Sequence, residues 1–280
     1  MHATLLGLWC VLVPAAAEPR TLFQQVHPRP RKSDILERSK GQKRAIVLVG
    51  GLRLADRHAA VLPALVDWQQ PGTQAVKALG RDADVFAFGY SQAFGVEEVA
   101  ASRGLCEGIA RLKKIGYGDI VLVGHSAGGL VVRHFVEDHP AAGVTKVSQL
   151  CTPNGGSLLA RAHRLAAPNL QPLIESLTRE ARERSLRLRR VRKLKLPDGV
   201  QFVCVVGKAR FLGDGVISAR TQWSEDLQEL CIPARVIRTT HEDAVEDPKT
   251  FVLLRELIVK PQPRLPRHRI PALRLEISRN

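Results

Sequence analysis

Three observations predict an α/β fold in which a mainly parallel sheet carries helices on both faces. Short β-branched runs alternate with helical segments from residue 44 to residue 258. A serine stands at the junction of one such strand and the helix behind it, in Gly124-His125-Ser126-Ala127-Gly128, with Gly129 next. An aspartate and a histidine, Asp214 and His241, follow later strands in that order. The runs are continuously apolar rather than alternating, as strands covered on both faces require.

Taken in order, residues 1–17 hold an apolar stretch and then Pro14-Ala15-Ala16-Ala17, small residues in an A-x-A arrangement. This reads as a signal peptide cleaved after Ala17, and hence as an exported chain, secreted or periplasmic. Its only positive groups are the amino terminus and His2. The apolar stretch is shorter than the roughly 20 residues a membrane helix needs, and no other segment approaches that length, so the mature chain is expected to be soluble or peripheral.

Residues 18–43 are polar, basic and interrupted by Pro19, Pro28 and Pro30, and read as an arm outside the core. Ordered structure is expected from the strand 44–49, which ends in Gly50-Gly51. Helices follow at 59–70 and 73–79, a strand at 84–88 and a loop at 89–95. Val99, Leu105, Ile109, Leu112 and Ile115 give helical spacing over 96–115. The strand 119–124 leads into the serine turn and a helix over 130–137. Further strands are expected at 144–151, 200–206 and 234–238, and a last helix at 249–258. One domain therefore spans 44–259. Two segments fall outside the alternation: a long insertion at 158–196, strongly basic near its end, and a Pro/Arg-rich tail at 260–280.

Composition limits the function classes. The 280 residues carry 42 Lys and Arg against 27 Asp and Glu, a net charge of +15. Residues 1–17 contain none of these, so the excess survives processing. It favours polyanions, anionic lipid surfaces or simple solubility. Nucleic-acid binding is not expected, because the basic run 179–195 has no interleaved aromatics and no recognition motif appears. Cys10 would leave with the leader; Cys106, Cys151, Cys204 and Cys231 are too sparse for a disulfide framework and read as buried free thiols. No Cys/His spacing points to a metal.

The serine turn carries the chemistry. In a strand–turn–helix of the form G-x-S-x-G, flanking glycines admit a strained bend that projects the serine oxygen and turns the next backbone N–H toward a developing oxyanion. A serine hydroxyl is a weak nucleophile at neutral pH and needs an imidazole base oriented by a carboxylate. His241 follows the last strand, and Asp214 lies in Gly213-Asp214-Gly215 after the strand 200–206, so all three groups sit at strand ends on one edge of the sheet. Gly-Asp-Gly is also good Asx-turn chemistry. His134 and His139 precede the acid and His163 lies in the insertion, so these read as surface or lid histidines, while His125 reads as support for the turn. Glu242, Asp243 and Asp119 are weaker acids for the role. Two amides are assigned to the oxyanion hole: Ala127, just past the nucleophile, and Leu52, in the loop after the first core strand.

These motifs resemble the lipase-like branch of the α/β-hydrolases, which holds bacterial triacylglycerol lipases, inositol deacylases and phospholipid–sterol acyltransferases. The resemblance runs from about residue 44 to 258 and rests on Ile46-Val-Leu-Val-Gly-Gly-Leu52, Val123-Gly-His-Ser-Ala-Gly-Gly-Leu-Val-Val-Arg133, Leu150-Cys-Thr-Pro-Asn-Gly-Gly-Ser157, Gly213-Asp-Gly-Val-Ile-Ser218 and His241. One departure is Gly50-Gly51, where relatives usually carry His-Gly. The resemblance implies a cofactor-free carboxylic-ester hydrolase acting on lipid or other hydrophobic acyl esters through an acyl-enzyme on Ser126. Acyl transfer or thioester hydrolysis by the same triad is the enzymic alternative. A catalytically idle scaffold that binds membranes or polyanions is the other. The resemblance also makes 158–196 a lid whose inner face would be Leu165, Leu170, Leu173, Ile174, Leu177, Leu186, Leu188, Val191 and Leu194. Its basic residues Arg187, Arg189, Arg190, Arg192, Lys193 and Lys195 read equally as a solvated face or as a contact with anionic lipid.

Overall fold

The computed structural model describes residues 17–30, 35–53, 61–209 and 213–278. The leader reading therefore lies outside the described residues apart from Ala17. Seven strands form one sheet in the order β1-β3-β2-β4-β5-β6-β7: β1 (Thr21–His27), β2 (Arg44–Val49), β3 (Asp84–Tyr90), β4 (Asp119–His125), β5 (Val144–Leu150), β6 (Gln201–Gly207) and β7 (Ala234–Ile237). All neighbours run parallel except β1, which pairs antiparallel with β3.

The strands are apolar throughout because each feeds two cores. In β2, Ala45, Val47 and Val49 point into one cluster while Ile46 and Leu48 point into the other; in β4, Ile120 and Leu122 oppose Val121 and Val123 in the same way. One face is covered by α2 (Val96–Ala100), α3 (Arg103–Lys114) and α4 (Ala127–Asp138), the other by α1 (Gln74–Leu79) and α9 (Pro248–Val259). No helix among the described residues is long and apolar enough to cross a membrane.

The structure departs from the sequence reading at four places. The segment read as an arm contributes β1, with Phe23 and Val26 buried and Gln25 accepting the Glu37 amide at 2.9 Å. Its Gln-rich sequence hid the strand, because only one edge of it is paired and its partners lie more than sixty residues away. Gly108 of α3 makes room for it, since a Cβ there would run into the Phe23 ring. Ser39 then fastens the following segment to β3, its N–H and hydroxyl donating to Asp84 at 2.8 and 2.7 Å.

The helix expected over 96–115 is two helices, broken at Ala101-Ser102, with Ser102 as the N-cap of α3. Of the helix expected over 59–70, the described part holds only a 3-10 turn at Asp67–Gln69. The Pro/Arg-rich tail is folded as well. It forms α10 (Ile270–Ser278), which packs on α7 (Ala219–Gln222) and buries Ile277.

Candidate active site

β4 runs out at His125, and α4 begins with the next residue but one. Ser126, between them, has φ 54° and ψ −128°, a conformation an L-residue holds only where its surroundings enforce it. Two hydrogen bonds enforce it: Ser126 N–H donates to the Leu150 carbonyl at 2.9 Å, and Gly129 N–H to the Ser126 carbonyl at 3.0 Å. The glycines are there for space. A Cβ on Gly124 would stand 2.5 Å from the Gly128 carbonyl oxygen, and one on Gly128 would collide with the Val49 and Gly50 carbonyls. Gly51 is the same case from the other side, with a Cβ there 2.5 Å from that of Ser126.

Asp214 and His241 meet as the sequence predicts. His241 Nδ1 donates to Asp214 Oδ2 at 2.7 Å, which leaves Nε2 as the nitrogen free to accept a proton. Asp214 is 1 % exposed, and its other oxygen accepts the Val216 and Ile217 amides at 2.9 and 2.7 Å. The Asx-turn reading and the catalytic reading are thus both correct, one for each oxygen. Gly213 and Gly215 on either side have φ of 108° and 95°, so the tripeptide needs its glycines.

A fixed polar chain stands behind this pair, and the sequence gave no sign of it. Gln222 Nε2 reaches Asp214 Oδ2 at 3.3 Å and the Gly207 carbonyl at 3.0 Å, while its Oε1 accepts the Gly207 amide at 2.8 Å. The Gln222 carbonyl accepts from Asn154 Nδ2 at 2.8 Å, and Asn154 Oδ1 accepts from Arg133 at 3.1 Å. Arg133 is neutralised by Glu137 at 2.8 Å and by Asp226. Asn154 explains the Thr-Pro-Asn-Gly-Gly-Ser element: it couples α4 to the loop that carries the acid.

His125 supports the turn, as read. Its Nε2–H donates to the His241 carbonyl at 3.1 Å, and its ring centroid lies 4.7 Å from that of His241. Burial, reinforced by His241, pushes its pKa down to about 3, so no second positive charge competes with the base. Cys151, at φ 49° directly after β5, abuts Asp214 from behind. Its sulfur and the donor atoms of Asp214 and His241 lie within 4.8 Å of one another. Burial and the Asp214 carboxylate push the Cys151 thiol well up, and both Asp214 oxygens already accept hydrogen bonds. These three residues are committed to one another and offer little to a metal.

No family model and no curated protein sequence matches the chain. Solved structures do. The mature lipase BlEst2 of Bacillus licheniformis superposes with TM-score 0.60 at 16% identity, over 80% of this chain and 96% of that one. A metagenomic carboxyl esterase gives 0.55 at 19%, over 83% and 80%. The phospholipase PlaB of Legionella pneumophila gives 0.57 at 13%, over 85% and 63%. The likeness is one of backbone, and it joins the strand order and the strained serine described above.

The chain has the α/β-hydrolase fold.

In an α/β-hydrolase the oxyanion loop follows the first central strand, here β2. The loop is clamped on both sides of Leu52: Gln92 Nε2 donates to the Gly51 carbonyl at 3.3 Å, and its Oε1 accepts the Arg53 amide at 3.2 Å. Tyr90 hydroxyl holds the Gly50 carbonyl at 2.9 Å. Ala127, as the first residue of α4, has no carbonyl a turn back to bond, so its N–H is open by construction. Gln92 and Tyr90 lie at the end of β3, far from Leu52 in sequence, and no spacing marks them.

Ser126 and His241 meet as walls of one cavity of about 900 Å³ rather than as a hydrogen-bonded pair. The cavity is also walled by Leu52, Val66, Trp68, Ile174, Leu177 and Phe251. The insertion supplies part of this wall, through the 3-10 segment Leu159–Leu165 and α5 (Gln171–Ser176), with Leu165 89% exposed at the rim.

The basic helix α6 (Arg179–Val191) lines none of the cavity, which corrects its reading as lid. It is docked on α4 through buried cations. Arg189 pairs with Asp138 at 2.8 Å and Glu137 at 3.0 Å. Arg182, its pKa pushed down to about 10 by burial, donates to His134 Nε2 at 2.8 Å. His134 is therefore a buried neutral acceptor, not a surface histidine; burial and then Arg182 drive its pKa far down. His139 is half-buried beside Cys106, and the His163 side chain lies outside the described residues.

Proposed function

We propose that the protein hydrolyses carboxylic esters with hydrophobic acyl groups through an acyl-enzyme on Ser126. One observation carries this reading: a serine strained at a strand–helix turn shares an apolar cavity with a histidine whose other nitrogen is held by a buried aspartate. His241 Nε2 takes the hydroxyl proton as Ser126 Oγ bonds to the carbonyl carbon, and the carbonyl electron pair becomes an oxyanion facing the Leu52 and Ala127 amides. Collapse of this intermediate breaks the bond to the leaving oxygen, which receives the proton from His241. Water, deprotonated by the same nitrogen, then releases the acid and restores the serine. The chemistry closes without a cofactor.

The lipase, esterase and phospholipase names of the solved structures support the ester and, more weakly, the lipid part of this reading. A lipid substrate is also favoured by Leu158, Leu159, Leu165 and Val216, all exposed and three of them on the cavity wall. We take this rim, rather than the basic helix, as the face that meets a lipid surface, with the exposed cations of α6 adding weak attraction to anionic lipid. Action outside the cytoplasm is proposed on the leader-like residues 1–17. Labelling with a fluorophosphonate tests the central claim: the parent should label covalently and Ser126→Ala should not. Equal labelling of both would overturn it.

A further inference from the structure

Among the described residues, every carboxylate or cationic side chain that lines the cavity is acidic: Asp67, Glu242 and Glu246. The chain as a whole carries +15, so the sign of the charge is reversed locally at the site. None of the three forms an ion pair with a described lysine or arginine. Their positions are specific to one half of the substrate. The proton held by His241 must pass to the leaving oxygen, so the alcohol portion of an ester lies on the His241 side of the bond that breaks. Glu242 follows His241 directly, and Glu246 stands just past the 3-10 turn Asp243–Val245 on the same wall.

A second, independent feature lies on that side. Trp68, next to Asp67, is 6 % exposed, and its ring packs edge-on against His125, which in turn contacts His241. Its indole N–H has no partner among the described residues, a donor kept for an acceptor on the ligand. An aromatic wall flanked by carboxylates is the chemistry that recognises a weakly hydrated ammonium. We propose that the site selects esters whose alcohol portion is cationic, a quaternary or protonated amine, with the apolar acyl chain in the rest of the cavity. This rests on the ester-hydrolase reading above. It also separates the two ends of the cavity: the acyl side is apolar, and the alcohol side is anionic.

The test compares hexanoylcholine with 3,3-dimethylbutyl hexanoate, in which carbon replaces the quaternary nitrogen at the same shape. At low ionic strength kcat/KM should favour the cationic ester about tenfold, as two or three partly solvated carboxylates near one cation would produce. The ratio should shrink as salt is added. In the Asp67→Asn/Glu242→Gln/Glu246→Gln variant it should fall to near one. The same pair is measured for binding to Ser126→Ala by calorimetry, which does not need turnover. A ratio of one or below in the parent, or a preference untouched by the triple substitution, would overturn the inference. Hydrolysis of neither ester with the Kd preference intact would instead overturn the hydrolase reading and leave the charge selectivity standing.

Discussion

Asp214 and His241 are joined twice: the imidazole donates to the carboxylate at 2.7 Å, and the His241 peptide N–H donates to the Asp214 carbonyl at 2.8 Å. The base is thus fixed in position by backbone and in ring orientation by side chain. Asp214→Asn keeps an oxygen for the Val216 and Ile217 amides but presents the wrong partner to Nδ1. It should lower kcat about 10³-fold or more with a small loss of stability. Asp214→Ala should lose kcat comparably and unfold earlier in urea, because two buried amides then lack an acceptor. Equal stability of the two variants would contradict the division of labour between the oxygens.

Gln222 holds both the acid and the end of β6. Gln222→Ala should cost about 1–3 kcal/mol in a urea titration, since it strands the Gly207 amide and carbonyl in the interior. It should also lower kcat more than KM, because the acid loses a support while the cavity wall is unchanged. A stability loss with kcat unaltered would reduce Gln222 to a purely structural role.

Gly51→Ala is expected to disable the site while sparing the fold. The added methyl would press on the Ser126 Cβ and stand 3.0 Å from its Oγ. Turnover of a p-nitrophenyl ester should fall by roughly 10²-fold, the loss a small misplacement of reacting atoms produces. The melting temperature should change by only a few degrees.

His125 makes stability depend on pH. Its folded pKa is about 3 against an ordinary 6.5, so the unfolded chain binds a proton there that the folded chain does not. The sign follows: the contribution is fully present above about pH 6.5 and is lost progressively as pH falls toward 3. Between pH 6.5 and 5, where few carboxylates titrate, the His125→Gln variant should lose stability less steeply than the parent. Parallel slopes would mean that His125 is not a neutral buried group.

The basic helix separates into structural and solvated cations. Arg189→Gln should cost about 3 kcal/mol, because it leaves Glu137 and Asp138 without their cation. Arg187→Gln and Arg192→Gln, both exposed, should stay within about 0.5 kcal/mol of the parent in the same denaturation experiment.

The fold was legible where local chemistry determined it. Apolar runs marked β2 through β7 because each is buried on both faces, and Gly124, Gly128 and the Gly213-Asp214-Gly215 turn marked the nucleophile and the acid because each glycine answers a local steric demand. The strand–turn–helix order put His241 on the right edge. What stayed hidden was held by partners distant in sequence. β1 reads as a polar arm because it answers only to β3, and the clamp of Gln92 on the oxyanion loop spans about forty residues. Arg182 and Arg189 look like surface cations, since the carboxylates and the histidine that bury them belong to α4. Composition could count those arginines but could not tell which were enclosed.

β1 has a consequence for how the molecule avoids its own kind. β3 is buried along its whole length, and β1 is the strand that occupies its outer hydrogen-bonding edge. Until residues 21–27 dock there, the run Asp84–Tyr90 offers a bare apolar template to any other extended chain. During synthesis β1 emerges first but must wait for residue 90, so the sheet's most adhesive border closes only after its own partner has appeared. A chain shortened past His27 would retain every residue of the site and still be exposed to sheet-to-sheet association. The first ordered strand therefore acts as a solubility device, remote from the chemistry.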